Sequence, residues 1–488
     1  MRLTFADSFV AAAALALAAQ GLAWPSEPAS SAASAPFAQR VQAAVSTLDR
    51  TEYYKSADSS TLGWGESYVL SAYYWMYEAT ADRAWLDRIV ARAQVLFANL
   101  SPGDELHPGW RTSRYSVALV AAQADAANLS RAAMEPDPAR IYDIETAHQV
   151  TGHTYEIRAL EGTRLQITDT TAREPVAILE LPPDGRVTQV PGVALILAGQ
   201  PQPGDRFVIQ TQAPKPLEYV VHDGMVLTPI AQFCAVVLAD PALASRYGAA
   251  ARRYLRIMET QLIPKWEPYW RDLPDRGGVY LAQDDPAQRF PGASLPHNQY
   301  LALGCTIIAL YRATGKPFYR ERAERMARFF KRSLRLVGGH YEWNYWDYAG
   351  PWDEGDAQHM AHTEDTSHGH IDIAFALDAY DAGIVFDRQD LQRFARTVTE
   401  AMWNGDAENP RVGGSVASSA DPGIQALDWV RLGRFSTQVR SIMTRMLESA
   451  GDLGGSHIAS AAQALAMERE GWPPAPRYAA RVKGPANP

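Results

Sequence analysis

The stretch Leu301–Leu334, LALGCTIIALYRATGKPFYRERAERMARFFKRSL, decides the fold of this chain. Its first ten residues are apolar nearly all round, which is typical of a helix that is buried on every side. After the turn around Gly315 and Pro317, apolar residues recur at every third or fourth position, as in a helix with one buried face. The stretch therefore predicts a helical hairpin with a buried inner helix and an amphipathic outer helix.

The same hairpin recurs along the chain. Its turn, residues 311–319, matches residues 77–85 in register, and both turns lie between an apolar helix and an amphipathic one. Further pairs are predicted at 225–262, 371–403 and 437–467. Repeated hairpins bury their apolar faces against one another, and closing the series gives a mainly α fold, an (α/α) toroid of about six or seven helical hairpins. An open solenoid is the alternative, but long polar and aromatic loops before the inner helices favour the ring.

Residues 140–212 break the helical pattern. Apolar and polar residues alternate there in short runs. These runs are separated by predicted turns such as Glu161-Gly162 and Asp184-Gly185. This predicts a small inserted all-β module, either a rim over the cleft or a tolerated surface insertion. The phrases Thr168–Thr171 and Pro203–Phe207 are similar to the small β units of flagellar hook-associated proteins, and this likeness concerns the module alone.

The N-terminus is typical of an exported protein. Arg2 precedes the apolar run Phe9–Ala19, and Gly21–Ala23 fits a signal-peptidase site. The run is short for a membrane span, so we expect a periplasmic or secreted protein with no membrane span after signal removal, and a retained anchor is the alternative. The predicted organisation is 1–23 signal peptide, 24–36 flexible leader, 37–134 first part of the toroid, 135–216 β module, 217–475 remainder of the toroid and 476–488 C-terminal tail.

Composition limits the classes of partner. The net charge of −9 argues against a nucleic-acid binder, whereas a local group of Arg and His can still hold an anionic substrate. The 13 Trp and 22 Tyr suit a sugar-binding cleft, although a Trp-rich core accounts for many of them. Cys234 and Cys305 lie in apolar helical stretches, so buried free thiols are expected rather than a disulfide.

Polar and aromatic side chains cluster just before the inner helices. Pro296 fixes a helix start, so the polar residues after it project from a rigid base. In the run HYEWNYWDY, residues 340–348, alternate side chains share a face if the run is extended. We predict catalytic roles for Tyr345, Tyr341, Asn298, His297, His368 and His222, and substrate-binding roles for Trp64, Glu66, Trp110, Arg111, Arg114, Tyr300, Trp343 and Asn344. The alternatives are a helix-capping role for Glu66 and His222, and surface ion pairs for the arginines.

Histidines and acids crowd residues 359–372, and such side chains suit zinc and similar ions. Their spacing matches no zinc signature such as HExxH, so we predict no cofactor and no metal among the site residues. The alternative is a metal ion bound by His359, His362, Glu364, Asp365, His368 and His370.

This inventory of side chains suits β-elimination on an acidic polysaccharide. The carboxylate beside C5 must be neutralised, for which Asn, His and Arg are suitable donors. A base then removes the C5 proton, and an acid protonates the departing O4. A tyrosine among cationic groups that lower its pKa can perform both steps.

The segments Leu295–Gly304, Tyr341–Trp346 and Glu364–Gly369 resemble the helical-toroid uronate lyases, most closely polysaccharide lyase family 38. The resemblance covers roughly Gly63–Arg131 and Tyr219–Trp403 and leaves out the β module. It implies an (α/α) barrel that cleaves glucuronan or alginate, with tyrosine as base and acid, assisted by Asn, His and Arg. Tyr345 and Tyr341 are the preferred tyrosines, with Tyr300 in reserve.

Two other functions fit the same sequence. A glycoside hydrolase on a toroid needs two carboxylates across the scissile bond, for which the chain offers Glu66, Glu342, Asp347, Glu364 and Asp365. A non-catalytic periplasmic sugar-binding protein would use the aromatic side chains without chemistry. The sequence predicts no oligomeric state.

Overall fold

The computed structural model describes residues 37–101, 107–124, 139–147, 149–420, 427–451 and 453–472, so the predicted signal peptide, leader and C-terminal tail lie outside the described residues. The main helices are α1 (Phe37–Thr47), α2 (Ser67–Thr80), α3 (Ala84–Ala98), α4 (Val220–Ala239), α5 (Pro241–Ile257), α6 (His297–Thr314), α7 (Pro317–Ser333), α8 (Thr366–Asp381), α9 (Arg388–Arg396), α10 (Thr437–Ser449) and α11 (Ser456–Arg469). The strands are β1 (Leu119–Ala124), β2 (Arg140–Thr146), β3 (Thr154–Ala159), β4 (Arg164–Asp169), β5 (Glu174–Glu180), β6 (Arg186–Val190), β7 (Val193–Ala198), β8 (Arg206–Gln212), β9 (Trp270–Leu273), β10 (Gly277–Tyr280), β11 (Arg335–Val337) and β12 (His340–Glu342).

The fold is mainly helical, as predicted, and helices form at each predicted hairpin. The two turns matched by sequence also share their geometry. Ala81 and Gly315 both adopt the left-handed conformation, with φ of 59° and 68°, and each donates its N–H to a tyrosine carbonyl four residues earlier at 2.7 Å. This bond ends the inner helix and turns the chain into the outer one.

The inner helices pack in a continuous series. α2 contacts α4, α4 contacts α6, and α6 contacts α8. The short 3₁₀ helix Leu427–Arg434 contacts both α8 and α11, and α11 returns to α2. At the α4–α6 contact, a Cβ on Gly224 would lie 2.3 Å from backbone atoms of Ala302 and Leu303, so only glycine permits this approach.

Buried ion pairs lie near the C-terminal ends of these helices. Arg431 donates to Asp378 at 2.6 Å, and Arg434 donates to both oxygens of Asp381 at 2.7 and 2.8 Å. They border a small polar cavity, which is lined by Tyr74, Trp75, Gln232, Arg312, Asp378, Asp381, Arg431, Arg434 and Met467. Residues from α2, α4, α6, α8 and α11 therefore converge at this end.

The β module has its own hydrophobic core. Two antiparallel sheets form it, with strand orders β1-β8-β3-β4-β5 and β2-β7-β6. The module begins earlier than the predicted residue 135, because Leu119–Ala124 pairs with β8; this alanine-rich run carries little alternation, so its strand was missed. Thr112 and Leu217 exchange backbone hydrogen bonds of 3.0 and 2.9 Å, which brings the two ends of the insertion side by side.

Cys234 and Cys305 are buried free thiols, as predicted. Among the described residues, α4 alone is long and apolar enough to cross a membrane by length and composition. In its most apolar window, 78% of the residues are buried inside the protein.

Candidate active site

The N-terminal ends of the inner helices meet at one place, which we call the mouth. Trp64 precedes α2, Tyr219 precedes α4, Ala302 lies on α6 and Ile371 on α8, and these four pack in one small apolar cluster. Side chains three or four residues apart share a helix face. Asn298, one turn before Ala302, and His368, one turn before Ile371, are therefore placed at the mouth.

Tyr345 lies beside the mouth and is half-buried. Its hydroxyl is 3.5 Å from Nε2 of Gln299, and its ring centroid is 5.3 Å from that of His368. Its backbone carbonyl accepts from the N–H of His297 at 3.0 Å, and its own N–H donates to the carbonyl of His362 at 2.8 Å. Two backbone bonds therefore fix this tyrosine against the start of α6.

Asp365 caps α8 and holds His368. It accepts from the backbone N–H groups of Ser367 and His368 at 2.8 and 2.9 Å, and its second oxygen is 2.5 Å from Nδ1 of His368. Burial is the largest single influence and opposes both charges, but the hydrogen bond and the mutual attraction of the two groups, with the Ser367 and backbone bonds to Asp365, together outweigh it: the pKa of Asp365 falls to about 2, and the pKa of His368 rises. The aspartate therefore favours the protonated form of His368 at the helix start.

Two fully buried carboxyl groups lie behind Asp365 and His368. Glu364 accepts from the N–H of Asp365 at 2.9 Å, and Asp372 accepts from the indole N–H of Trp343 at 2.9 Å. The two carboxyl groups also share a side-chain hydrogen bond, in which one of them supplies the proton. Burial and mutual repulsion raise the pKa of Glu364 well above its usual value, and burial raises the pKa of Asp372 to about 6.

Aromatic rings surround His222 on the other side of the mouth. The ring centroids of Trp64, Tyr115 and Tyr219 lie 5.6, 5.5 and 5.3 Å from that of His222. Nδ1 of His222 is 2.9 Å from the hydroxyl of Ser59. Burial lowers the pKa of His222 to about 3, so its ring is neutral at neutral pH.

Several polar atoms at the mouth lack a partner. Within the described parts of the chain, no hydrogen bond reaches Trp64 Nε1, Tyr115 Oη, Tyr219 Oη or Asn298 Oδ1, although all are buried. A buried polar atom without a partner costs about 1–3 kcal/mol, so such atoms are expected where a ligand supplies the missing bonds. Tyr115 and Tyr219 were not among the predicted site residues, although their near neighbours Arg114 and His222 were.

Cations near the mouth are few. Arg114 is exposed, and its guanidinium lies 5.9 Å from the ring centroid of Tyr115. Arg289, which the sequence analysis did not select, is exposed and lies close enough to Tyr345 to favour its ionised form. Arg111 instead forms an ion pair with Glu218 at 3.4 Å, which was the alternative to a substrate-binding role. Lys265 pairs with both Glu218 and Asp223 in a buried network.

Tyr341, a predicted catalytic residue, makes packing contacts in the structure. Its hydroxyl donates to Asp390 at 2.8 Å and accepts from Arg393 at 2.9 Å, and both residues belong to outer helix α9. The ring packs against Phe394 with centroids 5.1 Å apart. Tyr341 therefore anchors an outer helix.

His297, Tyr300 and Asn344 belong to one buried hydrogen-bond chain. His297 is 2.8 Å from the Tyr300 hydroxyl and 3.0 Å from Asp347. Asn344 donates to Asp347 at 2.7 Å and accepts from Arg335 at 2.7 Å. His297 and Tyr300 are 1% and 0% exposed, and their bonds hold the loop against α6.

Trp343, Trp110 and Glu66, which were predicted to bind substrate, are also buried, at 0%, 1% and 0% exposure. Trp343 supports Asp372. Trp110 stacks on Phe97 with centroids 6.2 Å apart, and Glu66 accepts from Arg92 at 2.7 Å. Of the predicted site residues, the mouth keeps Tyr345, Asn298, His368, His222, Trp64 and Arg114.

The structure brings three of the suggested metal ligands together. Ligand atoms of Glu364, Asp365 and His368 all lie within 4.8 Å of one another. His359 instead packs against Phe290 with ring centroids 5.3 Å apart. His362 is exposed, and His370 bonds through Nδ1 to the Ser367 carbonyl at 2.6 Å.

The cationic surroundings predicted to lower the pKa of a catalytic tyrosine are not found around Tyr345 in the described part of the chain. Burial is the largest cause that raises the pKa of Tyr345, and the charges of Glu364 and Asp365 raise it further. The Gln299 hydrogen bond and the Arg289 charge lower it by less. Tyr345 is therefore a neutral phenol in the free protein, chiefly because its hydroxyl is buried.

Comparison with known proteins adds little. No protein-family model matches the chain, and no curated protein matches it. Solved structures of Xanthomonas campestris FlgL, in two crystal forms, are 12% identical and match 40% of this chain and 75% of theirs. Their TM-score of 0.17 is too low to support an inference about fold or function.

Proposed function

We propose that the helices close into an (α/α) toroid of six hairpins. The inner members are α2, α4, α6, α8, the 3₁₀ helix Leu427–Arg434 and α11, and the outer partners are α3, α5, α7, α9, α10 and α1. The return of α11 to α2 supports closure, and α1 packs on both, so the two ends of the chain complete the last hairpin. The inner N-termini then form one face, which carries the mouth.

We propose that the protein is an exported polysaccharide lyase that cleaves a uronic-acid polymer of the glucuronan or alginate type by β-elimination. The observation that carries this proposal is the set of buried, unpartnered polar atoms around the mouth, next to Tyr345 and His368. A sugar acid offers hydroxyl and carboxylate groups that would complete these bonds. Trp64, Tyr115 and Tyr219 add flat apolar surfaces suited to a sugar ring.

The proposed roles follow from position and charge. Asn298 and protonated His368 neutralise the substrate carboxylate, which makes the C5 proton more acidic. Tyr345 exchanges protons with C5 and O4, since its hydroxyl contacts only an amide, at 3.5 Å, in the described structure. Its neutral phenol is ready to protonate O4, and proton removal from C5 needs the phenolate, which a nearby positive charge would favour.

The carboxylates do not suit the hydrolase alternative. Hydrolysis needs two carboxyl groups about 5–9.5 Å apart on opposite sides of the scissile bond. Glu364 and Asp372 are hydrogen-bonded to each other and fully buried, and Glu66 is paired with Arg92. Asp365 is bound to His368. Elimination with a tyrosine suits this arrangement better.

The direct test incubates the protein with glucuronan and with alginate while far-ultraviolet absorbance is followed, because elimination creates a double bond conjugated to the carboxylate. We expect absorbance to rise on at least one polymer. Tyr345→Phe should lower the rate at least about 100-fold, since it removes the proton-transfer group. Tyr348→Phe is the matched control, because Tyr348 is 46% exposed and lies in the same loop.

The other outcomes separate the rival functions. Reducing ends released without absorbance would indicate a hydrolase, and binding without cleavage would indicate a sugar-binding protein. Full activity in Tyr345→Phe, with elimination otherwise present, would remove Tyr345 from the mechanism and leave the lyase proposal standing.

A further inference from the structure

We infer that Glu364 and Asp372 act together as positioning residues, which fix Tyr345 and His368 relative to one another at the mouth. The two acids are fully buried, and their side chains share a hydrogen bond. Two ionised carboxylates repel each other, so this bond requires one proton between them. The role of the pair in catalysis rests on the proposed function, whereas the positioning itself does not.

Glu364 donates the shared hydrogen bond and Asp372 accepts it. Burial, the charge of Asp372 and the shared bond all raise the pKa of Glu364 well above its usual value. Burial raises the pKa of Asp372 to about 6. The neighbouring imidazole of His297 and two hydrogen bonds, from Trp343 and Glu364, oppose this rise. At neutral pH the proton therefore lies on Glu364, and the ionised Asp372 accepts from it.

The other bonds of the pair reach both segments that carry the proposed site. Asp372 accepts from the indole N–H of Trp343 at 2.9 Å, and Trp343 lies two residues before Tyr345. Glu364 accepts at 2.9 Å from the backbone N–H of Asp365, which is the N-cap of α8. The pair therefore connects the loop of Tyr345 directly to the start of α8, where the imidazole of the site lies.

Backbone hydrogen bonds hold the same segments in register. The N–H of Glu364 donates to the carbonyl of Trp343 at 3.0 Å, and the N–H of Tyr345 donates to the carbonyl of His362 at 2.8 Å. On the other side, the carbonyl of Glu364 accepts from the N–H of Val416 at 3.1 Å. Glu364 is therefore bonded through its backbone to a segment on each side and through its side chain to α8.

A pair of buried acids is a costly way to fill an interior. Apolar side chains of similar size would pack there with less loss, because buried acids are unfavourable unless all their bonds are made. Such a pair fixes direction as well as distance, since any shift leaves a buried polar atom without a partner. Precise placement matters for the proposed reaction, because small displacements of reacting groups lower rates strongly.

The test compares Glu364→Ala with Glu364→Gln in the full chain. Alanine removes both side-chain bonds, whereas glutamine keeps them, because its N–H can donate to Asp372 and its carbonyl can accept from Asp365. We expect Glu364→Ala to lower kcat on the cleaved polymer about 10- to 100-fold, the effect of a displacement of roughly 1 Å, while KM changes much less. Glu364→Gln should retain most of the wild-type kcat.

Two further measurements separate positioning from loss of stability. Asp378→Asn is the matched control, because it removes a buried charge at the C-terminal end of α8, where Asp378 pairs with Arg431. It should lower the melting temperature and leave kcat near the wild-type value. Near-ultraviolet circular dichroism follows the surroundings of Trp343 without substrate; Glu364→Ala should change this signal, and Glu364→Gln should not.

The remaining outcomes are distinct. Full kcat in Glu364→Ala, or an equal loss of kcat in both Glu364 variants, would overturn the inference. An equal loss in Asp378→Asn would also overturn it, because lost stability would then explain the effect. If no polymer is cleaved, the proposed function fails, and the dichroism decides about the pair: a change in Glu364→Ala alone supports it, and identical spectra of wild type and both variants refute it.

Discussion

His222 shows how one residue can make stability depend on pH. It is enclosed by aromatic rings and bonded to Ser59, and burial lowers its pKa from 6.5 to about 3. The unfolded chain therefore binds a proton below about pH 6.5, whereas the folded protein does not until about pH 3. The contribution of His222 to the free energy of unfolding is fully present above pH 6.5. It is lost as the pH falls, because proton binding then favours the unfolded state.

We predict that His222→Gln reduces this dependence. Glutamine keeps a polar group near Ser59 but does not titrate. The wild-type free energy of unfolding should fall between pH 7 and pH 4 by on the order of 3 kcal/mol more than that of the variant. Urea unfolding at both pH values measures the difference, and equal losses in the two proteins would contradict the burial of a neutral imidazole.

The sequence predicted which types of residue lie at the mouth more successfully than how exposed each side chain is. The sequence placed polar groups before the inner helices, and Asn298 and His368 are found there. The sequence gave no means to distinguish Tyr345, which is half-buried, from Tyr341, whose hydroxyl is bound in a packing contact. The partners of the Tyr341 hydroxyl are Asp390 and Arg393, which lie about fifty positions away in α9. Long-range partners of this kind leave no local pattern in the sequence.

The contact between α4 and α6 depends on a missing side chain. The carbonyl of Gly224 accepts from Thr228 and Thr306, whose hydroxyls are 2.9 Å apart. The helices approach closely because no Cβ separates them, and this holds His222 and Asn298 at a fixed separation across the mouth.

We predict that Gly224→Ala destabilises the protein by about 1–3 kcal/mol, because the new methyl group meets rigid backbone rather than a flexible side chain. Gly248→Ala in outer helix α5 is the control. Its Cβ would meet only the end of Arg252 at 3.2 Å, so the better helix propensity of alanine should leave stability equal or higher. Thermal unfolding of both variants checks this, and equal effects would contradict the proposed role of the contact.

Helical hairpins were predictable because each carries its own periodicity and turn. Strand β1 was not, because its pairing with β8 joins residues about ninety positions apart. The 3₁₀ helix Leu427–Arg434 also escaped the pattern search, and its position between α8 and α11 became clear only from packing.

At the scale of the molecule, the β module is a separable insertion. The module has a hydrophobic core separate from that of the helices. The backbone hydrogen bonds between Thr112 and Leu217 hold the two ends of the insertion together. Lys215 pairs with Asp285 at 2.5 Å and Val117 donates to Ala287 at 2.8 Å, so the stem adjoins the loop that leads to α6. This position favours the prediction that the module forms a rim near the mouth, rather than a surface insertion without a role.

We predict that replacing residues 118–213 by a short Gly/Ser linker leaves the helical part folded. The melting temperature should change little, because few contacts of the helical core depend on the module. If the module helps to hold the polymer, KM should rise while kcat stays similar. Circular dichroism and kinetics on whichever polymer the absorbance assay shows to be cleaved test both points, and loss of cooperative unfolding would show that the module is required for the fold.

The buried Arg431–Asp378 and Arg434–Asp381 pairs have a consequence for how a long polymer is handled. If the helices form the proposed ring, these pairs close the end opposite the mouth, so a polysaccharide cannot pass through the ring from one end to the other. In the proposed lyase, substrate and product would then use the same opening. Each cleavage would require the polymer to lie across that opening or to present a terminus to it, and the released fragment would have to leave by the same opening before the next bond is cleaved.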